Sequence, residues 1–282
     1  MVDLVERRRR ELADSLRACA AEDLLRGLGA ARAARLLSGP ARRAVGRFVA
    51  DLTELDAAVA RGGLGAAAEV IIPRYSGSLT IRDAGRVPTT GPLVVAANHV
   101  GTVDAPALWR LLAARDDLRI IALDRPILHA MPHLASRLLP VTAEAHDRTR
   151  LVRRVVDHLR SGGALLTFPA GGIEPDPALR PDDALTSLDT WGSGVEVFAR
   201  LIPETVVLPV AVSGVISRRM LRHPLARRRA SPADRELAAA TLQVLVRERV
   251  ITPQLAVGEP LGGPATTADL RAAMAALIGA RH

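Results

Sequence analysis

Between an apolar run, Leu93-Val94-Val95-Ala96-Ala97, and a helix-opening Ala105-Pro106, the chain reads Asn98-His99-Val100-Gly101-Thr102-Val103-Asp104. A histidine and an aspartate separated by four residues on one loop can fold back so that carboxylate meets imidazole, and Gly101 permits the tight turn. Such a pair is a general base with its orienter. Asp104 would fix the tautomer and stabilise the imidazolium, leaving the other nitrogen of His99 to take a proton. No serine nucleophile motif stands nearby, so the proton would come from a substrate hydroxyl. The plainer alternative is that Asp104 only caps the next helix, a position where aspartate is favoured, and that His99 is an ordinary loop residue.

The elements that must hold this loop follow from periodicity. Short β-rich runs at Leu79–Arg82, Leu93–Ala97, Arg119–Leu123, Ala164–Phe168, Val206–Val212 and Leu255–Val257 alternate with helical stretches near 105–115, 128–139, 148–160, 191–202, 233–247 and 268–279. Continuous apolar strands between helices predict an α/β fold, a mixed, mostly parallel sheet covered by helices on both faces. Residues 1–60 read as helices. Val45, Phe48, Val49, Leu52, Leu55 and Val59 draw an apolar stripe with Arg42, Arg43 and Arg47 mostly off it, Ser38-Gly39-Pro40 starting the helix and Gly62-Gly63 ending it. The domain reading is an N-terminal amphipathic helical region at 1–72 and an α/β domain at 73–282. That basic helix could lie on a membrane surface or pack on the main domain. In open α/β sheets, functional residues gather where strands end, which adds Arg125, after Leu123-Asp124, to the candidates.

The string Asn98-His99-x4-Asp104 after an apolar strand resembles the first motif of the glycerolipid acyltransferase family, the 1-acylglycerol-3-phosphate acyltransferases and their relatives. Leu138-Leu139-Pro140-Val141-Thr142, Phe168-Pro169-Ala170-Gly171-Gly172 and Val207-Leu208-Pro209-Val210 resemble its second, third and fourth motifs in order, so the likeness covers roughly 78–215. It implies a direct transfer. His99 deprotonates an acceptor hydroxyl, the alkoxide attacks an acyl thioester, and coenzyme A or a carrier protein leaves as thiol. It also implies substrate-binding roles for Asn98, Gly101, Thr102, Phe168, Pro169, Gly171, Gly172, Glu174 and Pro209, the glycine turn offering backbone N–H groups to the oxyanion. The charged residues that the family carries in its second and third motifs are replaced here by Thr142-Ala143 and Ala170-Gly171-Gly172-Ile173, with Glu174, Arg148 and Arg150 close by. These departures keep two other readings open: a lipid-binding protein on the same fold whose catalysis has decayed, and an acyl-thioester hydrolase.

Charge bears on the partner. The chain of 282 residues has 38 basic residues, all arginine, against 30 acidic ones, net +8, with a hydrophobic share of 49% that suffices for a sizeable core. Residues 24–50 and 215–233 hold six arginines each and no acid, so these segments carry +12 and the remainder is net −4. Such focal charge suits anionic lipid or acidic substrates. Nucleic acid is the weaker partner, because the chain has three Phe, two Trp and one Tyr with which to stack bases. The one cysteine, Cys19, makes no intrachain disulfide, and the histidines lack companions at metal-ligand spacing. No metal and no cofactor is expected beyond acyl-CoA or acyl-carrier protein as co-substrate. No charge-free run nears the roughly 20 residues of a span. The expected location is cytoplasmic, peripherally associated with the inner face of the cell membrane.

Overall fold

The computed structural model describes residues 2–142 and 145–280. Seven strands, β1 (Thr80–Arg82), β2 (Leu93–Ala97), β3 (Arg119–Leu123), β4 (Leu138–Val141), β5 (Ala164–Thr167), β6 (Val206–Ser213) and β7 (Gln254–Val257), form one sheet in the order β1-β7-β6-β2-β5-β3-β4. All pairings are parallel except β6 with β7. Every residue of β2 is buried, and successive side chains enter opposite layers. Leu93, Val95 and Ala97 join one core while Val94 and Ala96 join the other.

The first layer contains α1 (Val2–Gly27), α2 (Ala34–Ala44), α3 (Gly46–Tyr75), α4 (Asp104–Leu111), α5 (Pro126–His129) and α6 (Pro132–Ala135). With them pack α10 (Arg218–Leu221), α11 (Pro224–Arg227) and α12 (Pro232–Val246), whose numbers leave α7 (Ala145–Arg160), α8 (Pro181–Ser187), α9 (Gly194–Leu201) and α13 (Thr267–Gly279) in or beside the second layer. The N-terminal stripe Val45, Val49, Leu52, Leu55 and Val59 is fully inside the same core as the sheet. It is therefore not a face left over for a membrane. Arg43 and Arg47 remain exposed on the other side.

Three local expectations are corrected. Pro40 does not open a helix. It lies inside α2, and α3 begins at Gly46 after a break at Val45. Gly62-Gly63 interrupts α3 rather than ending it, with Gly63 at φ 72°, ψ −166°, a conformation open to glycine, and helix resumes to Tyr75. The expected helix over 128–139 is two single turns followed by β4, because Pro132 lacks the N–H that would continue α5. The halves of α3 are held together by Asp51, buried, which accepts from Arg74 Nη1 (2.5 Å) and Tyr75 Oη (2.6 Å), while Arg247 at the end of α12 donates through Nε and Nη2 (2.8 and 2.6 Å).

Candidate active site

The C-terminal ends of β2, β5, β6 and β3 all face one edge of the sheet, where ligands gather in open α/β folds. From that edge of β2 the His99 loop emerges, fastened at its root by Asn98. The Asn98 amide donates from Nδ2 to Val212 O (2.9 Å) and accepts at Oδ1 from Val212 N (2.7 Å). Both polar ends of this buried side chain are thus engaged by β6. It is a peg between two strand ends.

Asp104, with no exposure, gathers the loop around its carboxylate. Oδ2 lies 2.7 Å from His99 Nδ1 and accepts from Val100 N (2.7 Å) and Gly101 N (2.9 Å); Oδ1 accepts from Ala105 N (2.7 Å). With Nδ1 donating to this carboxylate, Nε2 is the free nitrogen, on a side chain 30% exposed. The Phe168 ring stacks on the imidazole at 4.5 Å between centroids and 28° between planes. Burial opposes the charged imidazolium, but the Asp104 carboxylate, by charge and hydrogen bond, and Glu174, by charge, outweigh it, so the His99 pKa is raised above its ordinary value. The arrangement is that of a base with a fixed tautomer and a stabilised conjugate acid.

Glu174 lies behind the loop. Its Oε2 accepts from His99 N (2.9 Å), its Oε1 from Trp191 Nε1 (2.7 Å) and Ser187 Oγ (3.2 Å), and its own N–H donates to His99 O (2.6 Å). Desolvation pushes its pKa up despite these donors. Both oxygens of the Glu174 carboxylate are thus engaged by protein donors. Beside it Asp176, not among the residues that sequence singles out, takes Gly214 N on Oδ1 (2.9 Å) and Val215 N and Ile216 N on Oδ2 (2.8 and 3.0 Å). It ties the Glu174 segment to the exit of β6. Its signal in sequence was a lone acid between two prolines.

The other candidates divide. Gly101 and Thr102 line a cavity with His99, and Arg125 lines it too, ion-paired with Asp23 of α1. Pro169 accepts Gly192 N at its carbonyl (3.0 Å), and Gly171, at φ 67°, closes a turn by donating to Phe168 O (3.0 Å). That N–H is therefore not free for an oxyanion. Gly172 is exposed next to Ile173, which lines the cavity. Pro209 is buried in β6, beside Ala96 of β2. The pairings Val210–Val257 and Val207–Leu261 differ by one residue in register, a bulge, and that is where a strand proline is tolerated. Ala143 lies outside the described residues, as do the side chains of Arg35 and His146.

The cavity, about 610 Å³, runs from His99 between α1, α3 and α12. Its walls are mainly apolar, with Ala20, Leu24, Phe48, Ala240 and Val244 among them, and Leu123 (62% exposed) and Ile173 (52%) stand at its rim. Two carboxylates reach it, Asp23 and Glu236. Among the described residues no helix is long and apolar enough to cross a membrane.

A mostly parallel α/β sheet thus carries a carboxylate-oriented histidine at its strand ends, open to an apolar groove. Residues 78–213 match the family model described as Acyltransferase. The matched segment coincides with the stretch over which the motif resemblance runs. A solved structure, the 1-acyl-sn-glycerophosphate (LPA) acyltransferase PlsC from Thermotoga maritima, aligns with 97% of this chain and 94% of that one at 16% identity and a TM-score of 0.41. No curated protein matches the chain at a significant level.

Proposed function

We propose that the protein moves a fatty acyl group from a thioester donor to a hydroxyl of a glycerolipid or related lipid acceptor, with His99 as general base. The observation that carries this reading is the His99–Asp104 pair at 2.7 Å opening onto the apolar groove. Nε2 removes the acceptor proton, the oxygen attacks the thioester carbonyl, and the tetrahedral intermediate expels the thiolate. The proton held on Nε2 goes to the departing sulfur, so the base is regenerated and no acyl-enzyme forms. Imidazolium formed on the way faces Asp104, and Phe168 limits its rotation. The N–H of Gly172, beside the groove, is the backbone donor offered to the oxyanion.

The groove is read as the acyl site, because an aliphatic chain gains roughly 0.8 kcal/mol for each methylene it buries. Its apolar rim, Leu123 and Ile173, together with exposed Leu36 (84%) on α2 near Arg42 and Arg43, supports docking on an anionic membrane face, with acyl-CoA or acyl-carrier protein delivering the donor.

The test measures thiol release from long-chain acyl-CoA with and without lysolipid. Release that requires the lipid and disappears in His99→Gln is the expected result. Release without acceptor would make the protein a hydrolase, and no release with any lipid or donor would leave a binding protein. Sedimentation with vesicles checks docking, since binding indifferent to anionic lipid and salt would remove that part of the reading.

A further inference from the structure

A second cavity, about 620 Å³, opens between the segment after Asp176 and helices α10 to α12. Five arginines line it, Arg180, Arg218, Arg222, Arg227 and Arg235, against one carboxylate, Glu236. The recess is open to solvent and its volume suffices for the anionic group of a small molecule. Three of the guanidinium groups are held by protein acceptors. Arg180 donates to Glu236 Oε1 (2.6 Å) and Asp183 Oδ2 (2.7 Å), Arg218 to Ala178 O (3.0 Å), and Arg235 to Arg229 O (3.0 Å). Each keeps further N–H groups for a ligand, since a guanidinium carries five donors in a rigid fork. Among the described residues, Arg222 and Arg227 have no hydrogen bond or ion pair at their side chains.

Convergence of like charge around a concave site is unfavourable until an anion enters, and paired arginine forks fit phosphate oxygens in two-point contacts. Glu236, itself buried and held by Arg180, lines this recess and the His99 groove alike. The two cavities adjoin across one side chain. A molecule with an acyl chain in the groove can therefore carry its anionic end toward the arginines.

We propose that this recess binds the phosphate-bearing group, a phosphomonoester or diphosphate, of a substrate of the reaction. The inference rests on the acyl-transfer reading for the rest of that substrate. The phosphate belongs either to a nucleotide-bearing thioester donor or to the head group of the lipid acceptor, and both offer the same chemistry to arginine. The recess also gives the second arginine cluster a use distinct from surface docking: three of its members, Arg218, Arg222 and Arg227, line it while remaining accessible to solvent.

The experiment is equilibrium binding to the full chain, which needs no turnover and so succeeds or fails independently of the acyl-transfer reading. The probes are coenzyme A, inorganic phosphate, and phosphatidylcholine vesicles with or without phosphatidate. The paired variant Arg222→Gln/Arg227→Gln is compared with Arg153→Gln/Arg154→Gln, which removes the same charge from the exposed face of α7. The expected result is a loss of about tenfold or more for at least one probe in the recess variant, and less than about twofold in the control, because each lost bond was charge-assisted. Loss for coenzyme A and phosphate with vesicle binding intact assigns the recess to the donor. Selective loss for phosphatidate vesicles assigns it to the acceptor. Equal weakening of every probe by the two pairs, or weakening by neither, overturns the proposal and leaves the arginines as diffuse surface charge.

Discussion

Replacing Asp104 by asparagine separates the two tasks its carboxylate performs. Oδ2 holds His99 Nδ1 and the N–H groups of Val100 and Gly101, while Oδ1 holds Ala105 N. If the asparagine amide takes the Oδ1 position, the carbonyl still serves the histidine and the loop, and Ala105 N is left facing a second donor. An unpaired buried donor costs about 1–3 kcal/mol. For a protein of this length each kcal/mol lowers Tm by roughly 2–4 °C, so a drop of several degrees is expected. If the amide takes the Oδ2 position, it faces Nδ1 and two N–H groups, and the imidazole must carry its proton on Nε2, where it can no longer act as a base. In either case the imidazolium loses its anion. The loss in kcat is expected to lie between about 10² for charge alone and about 10⁴ with the wrong tautomer. The assay is thiol release from acyl-CoA with lysolipid present, run beside a thermal melt. His99→Gln is the companion variant: it leaves the bonds from Val100, Gly101 and Ala105 to Asp104 in place, so it should lose activity as severely with a smaller thermal shift. A folded Asp104→Asn protein that kept kcat within about threefold of the parent would refute the base-and-orienter reasoning.

The raised pKa of His99 sets the sign of a pH effect: the base works when neutral, so kcat/KM should fall as pH drops through a midpoint above the ordinary 6.5, and a midpoint at or below that value would contradict the assignment. The same shift stabilises the folded state fully below 6.5 and loses that contribution as pH rises through the folded value, which denaturant titrations of the parent and His99→Gln can measure. Glu174→Gln puts an amide donor against His99 N or Trp191 Nε1; kcat should fall by about tenfold or more with KM nearly unchanged, since lost positioning acts on the chemical step. Removing that charge should also move the acid limb of the rate profile to lower pH, which a merely destabilised loop would not do. Ala240→Phe narrows the groove and should shift donor preference toward shorter acyl chains, and an unchanged chain-length profile would dissociate the groove from the acyl group.

Much of the sheet was legible because its central strands are unbroken apolar runs bounded by polar loops; β2 and β3 have the bounds that periodicity predicts. β4 was hidden within an apolar stretch that suited a helix as well as a strand, and pairing with β3 decided between them. The His99–Asp104 pair could be read directly because both residues belong to one loop. The partners of Glu174 and Asp176 could not, since they come from Trp191, Ser187 and the exit of β6, brought together only by folding. For the same reason the second arginine cluster looked like a run of surface charge. Arg180 and Arg235, from outside that run, complete the recess.

The groove at His99 is built largely from residues outside 78–213: α1 and α3 form one wall and α12 another. On the proposed acyl-transfer reading, chemistry and substrate measurement are therefore written in different stretches of the chain. Substitutions at Leu24, Phe48 or Val244 can retune which acyl chain fits while every residue around the His99 loop stays the same. Conversely, a fragment cut to the matched segment would retain each motif and lose its ruler.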